Sequence, residues 1–285
     1  MPGVQSPTVR RRRLGQELRQ LREAARLTID DVAQRLEVSP AKISRIETGR
    51  VSVRPRDVSD LLDQYEIYGT HRDNLLILTR EARQQGWWHS YSDVLSEGTD
   101  MWVGLETEAE AIRLYQIQVV PGLLQTSEYA SALLRAHYRS EPPEQIERRV
   151  KLRMARQQLV IEQNNTPIWA VLDEAVLRRR MGPPEVMQSQ YRRLLEFSEQ
   201  NDITIQVLPL DAGVFTGVPG GFTIMRLPHP DPEVVVIEYG GGALYLERSE
   251  DVTAQAHLFD RLIATAKGPE ESLSYISDLA QLDVE

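Results

Sequence analysis

The sequence holds 285 residues, 41% of them hydrophobic, with no cysteine and a formal net charge of -9 at pH 7. That length provides for about two domains of roughly 100 to 200 residues each. The missing cysteine excludes disulfides, thiolate metal sites and a cysteine nucleophile. No apolar run is long enough to span a bilayer and no secretory pattern opens the chain, so a cytoplasmic protein with no membrane association is expected.

The charge is unevenly spread. Residues 1–56 hold 13 Lys and Arg against 6 Asp and Glu, a balance of +7, which leaves -16 of the total -9 to the rest. A basic N-terminal module ahead of an acidic body is the footprint of a DNA-binding unit joined to a regulatory domain.

Ser6 followed by Pro7 predicts a helix start, and Leu14, Leu18 and Leu21 recur at spacings of four and three to give that helix a buried stripe. Arg10 to Arg13 crowd its first turns, where cations oppose the helix dipole; phosphate attraction accounts for them better than a solvated helix end. Thr28 with Asp31 forms a variant capping box, and Val32, Ala33 and Leu36 supply the buried side of a second helix. Glu37-Val38 separates it from a third, opened by the cap Ser39 and by Pro40 at the first helical position. Ile43 and Ile46 face inward, which leaves Pro40, Ala41, Ser44 and Arg45 near the opposite face, flanked by Lys42 and Arg50. Gly49 ends that helix, Val58, Leu61, Leu62 and Tyr65 make the buried face of a fourth, and a fifth covers Leu75 to Arg83.

With Ala33, Val38-Ser39, Ile43-Ser44, Ile46-Glu47 and Gly49 in these places, residues 8–83 resemble the Xre family of phage-repressor-like regulators. The resemblance implies an all-α five-helix domain whose third helix lies in the major groove of double-stranded DNA. Pro40, Ala41, Ser44 and Arg45 then take the base-facing places. Thr28, Ser39, Lys42, Arg50, Arg54 and Arg56 take phosphate or minor-groove places, the last two on the basic segment after the reading helix. Glu37 departs from the pattern: it stands where the family has a left-handed turn glycine, at a cost of about 1–2 kcal/mol, so a turn of different shape is expected.

Residues 84–104 lose helical periodicity and carry three of the four tryptophans, which marks a linker between a domain of residues 1–83 and one of 105–285. Trp87 and Trp88 fit hydrophobic docking of this linker better than an aromatic ligand pocket. Strands are expected at Ile112 to Val120, Ile168 to Leu172, Ile203 to Leu208, Phe222 to Leu227, Val234 to Tyr239 and Leu244 to Glu247. Helices are expected at Glu128 to His137, from Pro143 to about Gln163, at Pro184 to Gln200, Ser249 to Lys267 and Pro269 to Leu282. The result is an α+β domain with a mixed sheet, at least one crossover and a later antiparallel meander. The arginines of the Pro143 to Gln163 helix read as a solvated basic face, partly neutralised by Glu144 and Glu147.

Pro121-Gly122-Leu123-Leu124-Gln125-Thr126 with Tyr129-Ala130, then Leu172 to Leu177, Ile205 to Pro209 and Phe222-Thr223, resemble an actinobacterial domain of unknown function found behind Xre modules. That resemblance covers residues 87–281 and implies an antitoxin-like regulator with a small protein partner encoded nearby; it names no reaction. The five histidines are scattered, Asp173-Glu174 points to two sides of a strand, and Gly217-Val218-Pro219-Gly220-Gly221 and Gly240-Gly241-Gly242 match no nucleotide fingerprint. No enzyme activity, metal or cofactor is expected. The reading is a homodimeric DNA-binding regulator, with a partner-sequestering adaptor or a ligand-sensing regulator as the alternatives.

Overall fold

The computed structural model describes residues 6–95, 99–200, 202–212, 220–228, 233–239 and 242–282. These fall into two units, 6–90 with 99–108 and 91–95 with 109–282.

The first unit comprises α1 (Pro7–Ala24), α2 (Ile29–Arg35), α3 (Pro40–Glu47), α4 (Pro55–Gln64), α5 (Gly69–Glu81) and α6 (Thr99–Glu108), with a short 3-10 turn that begins at Trp87. The predicted caps form: Ser6 accepts from the Val9 N–H, and Thr28 and Asp31 complete their capping box. Leu14, Leu18, Val32, Ile43, Val58, Leu61 and Leu62 close a core in which each is 2% exposed or less. Full burial of such side chains contributes about 1.5–3 kcal/mol apiece.

Four helices of this unit end on a left-handed residue: Arg26, Glu37, Gly49 and Glu66, with φ of 57°, 52°, 66° and 56°. At each, the next residue's N–H reaches back to the last turn, as in Val38 to Ala33 O at 2.9 Å and Arg50 to Arg45 O at 2.9 Å. After the three non-glycine residues comes Leu27, Val38 or Ile67, each packed against the core. Burial of that side chain offsets the strain of the turn. The expectation of a differently shaped turn at Glu37 is thereby corrected, for it adopts the left-handed conformation itself.

Two segments differ from expectation. α5 begins at Gly69, six residues before Leu75, because its first turns (Thr70, His71, Asp73 and Asn74) are polar and exposed and carry no apolar signal. Within 84–104, read as a linker, α6 begins at Thr99, and Met101 to Glu106 are all buried. A helix buried on every side has no polar face, so it shows no helical period in sequence. Docking of the tryptophans is borne out: Trp88 is buried, edge-on to Trp87 at 6.1 Å, and Trp87 Nε1 donates to Thr107 Oγ1 of α6 at 3.2 Å.

The second unit is built on a six-stranded sheet of order β3-β2-β1-β4-β5-β6, with β1 (Ala111–Gln116), β2 (Ile168–Asp173), β3 (Ile203–Leu208), β4 (Phe222–Arg226), β5 (Val234–Tyr239) and β6 (Gly242–Leu246). β1, β2 and β3 are parallel; β4, β5 and β6 continue from β1 as an antiparallel meander. The connections carry α7 (Ser127–His137), α8 (Pro143–Gln157), a π-type turn (Gln158–Gln163), α9 (Glu174–Arg178) and α10 (Pro184–Gln200). α11 (Ser249–Thr265) and α12 (Pro269–Leu282) close the chain. Tyr115, Val171, Phe222, Ile224 and Val235 meet Phe259 and Leu262 of α11 on one face. Ile112, Leu114, Ala170, Leu172, Ile205 and Met225, on the other, are equally buried, as a sheet with a parallel half requires.

β1 stops at Gln116 rather than Val120, and the Val120 N–H, past its end, donates to the Tyr129 hydroxyl at 3.2 Å. The Pro121 to Thr126 stretch that follows is held by three buried glutamines. Gln157 donates to Gly122 O and Gln125 O, Gln125 to Val120 O, and Gln190 to Leu124 O. This motif is a structural latch between α8 and α10.

Candidate nucleic-acid interface

The turn between α2 and α3 sets the direction of α3. Ser39 caps α3 by accepting from the Lys42 N–H at 3.2 Å, Pro40 begins it, and Ile43 and Ile46 are buried, at 1% and 4% exposure. Pro40, Ala41 and Arg45 are left exposed, with Ser44 and Lys42 half-exposed. Arg45 Nε donates back to Ala41 O at 3.3 Å, which lays its stem along the helix and leaves both terminal nitrogens of the guanidinium outward. Thr48 donates to Ser44 O at 2.8 Å.

The remaining predicted residues group around this face in sequence, with differing roles. Lys42 Nζ lies 3.7 Å from Asp57 Oδ2 in the first turn of α4. Thr28 is exposed, and its hydroxyl donates to Asp31, whose carboxyl the Thr28 hydroxyl and N–H hold below the usual carboxylate range. Arg50, Arg54 and Arg56 are exposed, and among the described residues they have no ion pair. Arg54 takes the N-cap place of α4 and contributes no side-chain cap.

The arginine run of α1 is a correction. Arg10 reaches Glu81 at 3.7 Å and Gln84 at 3.4 Å, Arg11 reaches Asp100 of α6 at 3.5 Å, and Arg12 is 2% exposed. Arg10 and Arg11 are spent on carboxylates of α5 and α6 and Arg12 is buried, so phosphate attraction no longer accounts for these three.

What fixes α3 in place went unread in the sequence. Arg22, at the end of α1, makes two hydrogen bonds to the Glu47 carboxylate, Nε to Oε1 at 2.6 Å and Nη2 to Oε2 at 2.9 Å, and a third to Leu27 O at 2.8 Å. Both side chains are buried. The bond to Glu47 holds the Arg22 guanidinium above its ordinary value, and burial pushes the neighbouring Tyr65 phenol up. A second fixture is glycine: a Cβ on Gly15 of α1 would lie 2.6 Å from the Ile46 and Glu47 carbonyl oxygens, and one on Gly49 would lie 2.8 Å from the Arg12 Cα. A glycine inside a helix costs about 0.5–1 kcal/mol relative to alanine, and that penalty at Gly15 is the signal in the sequence that could have disclosed the close approach.

In the second unit, the arginines of α8 are not a solvated face. Arg148 pairs with Asp93 at 2.6 Å and stacks on Tyr91; Arg149 pairs with Glu141 at 2.7 Å and stacks on Tyr138; Arg153 donates to Gln125 at 2.6 Å. Asp173 caps α9 through the Ala175 N–H at 2.9 Å, while Glu174 accepts from Leu210 N–H and from the Tyr275 hydroxyl, so the two carboxylates serve separate turns. His229 and most of the two glycine-rich stretches lie outside the described residues. Among the described residues no helix is long and apolar enough to cross a membrane.

A family model described as a helix-turn-helix domain matches residues 13–75. A second, described as a domain of unknown function (DUF5753), matches residues 100–278 and therefore begins inside α6. No curated protein and no solved structure matches the chain.

Proposed function

Because the chain belongs to the family defined by the domain of unknown function DUF5753 and carries a helix-turn-helix domain ahead of it, we propose that it is a sequence-specific DNA-binding transcriptional regulator of Xre type. The observation that carries this reading is α3: its apolar side is buried, its other side presents Pro40, Ala41, Ser44 and Arg45, and three exposed arginines with no ion pair among the described residues follow within twelve residues. Arg45 contacts guanine through its two terminal nitrogens, and Ser44, Ala41 and Pro40 shape the fit to neighbouring bases. Arg50, Arg54 and Arg56 hold phosphates, with Thr28, Ser39 and Lys42 beside them. The protein acts in the cytoplasm as a homodimer on two half-sites, and the acidic C-terminal unit, of an actinobacterial antitoxin-like kind, binds a small protein partner and performs no catalysis.

The test separates the two kinds of contact. Binding of wild type, Arg45→Ala and Arg50→Ala to a selected duplex and to random DNA is measured by fluorescence anisotropy over a salt series. Arg45→Ala is expected to lose about 1–3 kcal/mol of discrimination between the two duplexes. Arg50→Ala weakens both duplexes alike and lowers the salt slope by about 1. Undiminished discrimination by Arg45→Ala sinks the assignment of that residue, and a wild-type chain that binds neither duplex sinks the reading as a whole.

A further inference from the structure

α7 and α8 are joined by the five residues between His137 and Pro143, which makes them an antiparallel hairpin. On its outer side lies an open groove of about 610 Å³, floored by Ser131, Ala132 and Val150. Four charged side chains stand at its corners: Glu128 and Arg135 on α7, one at each end, and Glu147 and Lys151 on α8. All four are exposed, and among the described residues none has an ion pair. That contrasts with Arg148, Arg149 and Arg153 on the same helix, each of which is engaged within the unit.

The pattern of signs is antisymmetric. Glu128 and Lys151 mark one end of the groove, Arg135 and Glu147 the other, because antiparallel helices place the start of α7 beside the later turns of α8. A two-fold copy can lie on this hairpin in two ways. With the dyad across the helices, α7 faces its own copy in reverse, and Glu128 meets the copy's Arg135 while Glu147 meets the copy's Lys151. With the dyad along the helices, α7 faces the copy's α8, and Glu128 meets Lys151 while Arg135 meets Glu147. Both arrangements bring unlike charges together over a floor of small and apolar side chains, which allows the helices to approach closely.

We propose that this face of the α7–α8 hairpin is the homodimer interface, its occupant a second copy of the chain. The proposal deepens the two-fold reading given above by locating the surface that serves it. Helices of 11 and 15 residues provide a face at the small end of stable interfaces, so dissociation in the micromolar range is expected.

Sedimentation of the full chain without DNA tests it. Wild type is expected to pass from monomer to dimer across the micromolar range. Arg135→Glu with Lys151→Glu makes all four corners acidic, and Glu128→Lys with Glu147→Lys makes them all basic; each pair of changes raises the dissociation constant by about 100-fold or more. An equimolar mixture of the two variants restores the dimer, a result that misfolding cannot give. Wild type that stays monomeric throughout, or a dimer indifferent to both sets of reversals, overturns the proposal. Arg45→Ala leaves the sedimentation unchanged, so failure of the DNA assignment and failure of this interface are read separately.

Discussion

Glu47→Ala is expected to destabilise the helix-turn-helix unit by about 3–5 kcal/mol, because it leaves the buried Arg22 guanidinium without the carboxylate that takes two of its hydrogen bonds. The bond to Leu27 O remains, but a carbonyl supplies no compensating charge. The loss is close to the whole stability of a small domain. Its measure is urea denaturation followed by tryptophan fluorescence, since three of the four tryptophans, Trp87, Trp88 and Trp102, sit in this unit and only Trp169 in the other. Trp169→Phe makes the signal report the first unit alone. Replacing both partners, Arg22→Met with Glu47→Met, is expected to recover most of the loss, because neither a buried charge nor its desolvation cost remains. A loss below about 1 kcal/mol in Glu47→Ala, the size of an exposed pair, would show that solvent reaches the bridge.

That ion pair also shows where the sequence was legible and where it was not. Elements whose signals are local were readable: the Thr28 and Ser39 caps, the Ile43 and Ile46 side of α3, the alternation along β3, the boundaries of α10 and α12 and the start of α11. The order of the sheet, with β1 between β2 and β4, required contacts far apart in sequence that no local pattern encodes. Arg22 and Glu47 are 25 residues apart on two helices, and each alone reads as an ordinary surface charge. The arginine run misled for the complementary reason. Its sign is visible in sequence, but its partners Glu81 and Asp100 lie beyond the domain boundary or near it, and α6, which receives Arg11, was hidden by being buried on all sides. Of the candidate site, α3 and the exposure of its outer residues were legible, whereas the means by which the unit holds that helix at one angle were not.

Gly15→Ala tests that means. On propensity alone, alanine for glycine within α1 would stabilise the helix by about 0.5–1 kcal/mol. Here the added Cβ would lie 2.6 Å from two carbonyl oxygens and 2.9 Å from the Glu47 carbonyl carbon, all of them backbone atoms of α3 that cannot swing aside as a side chain can. Ordinary C···O contacts lie near 3.3–3.6 Å, so α1 and α3 must part by roughly an ångström. Overpacking of this kind costs about 1–3 kcal/mol, which outweighs the gain in propensity. The larger effect falls on recognition. A shift of that size carries Arg45 with it, and the bidentate contact proposed for it, confined to about 2.7–3.2 Å, would not survive it. On the proposed roles of these residues, the variant is therefore expected to lose about tenfold or more of its discrimination between selected and random duplexes while keeping its salt slope, since the proposed phosphate contacts of Arg50, Arg54 and Arg56 do not depend on that angle. Gly69→Ala is the control: that glycine has φ of +67° but nothing within 4 Å of its Cβ position, so it bears the conformational cost of about 1 kcal/mol with no displacement of α3. Equal discrimination by Gly15→Ala and Gly69→Ala would mean that the contact between α1 and α3 does not set the angle of the reading helix.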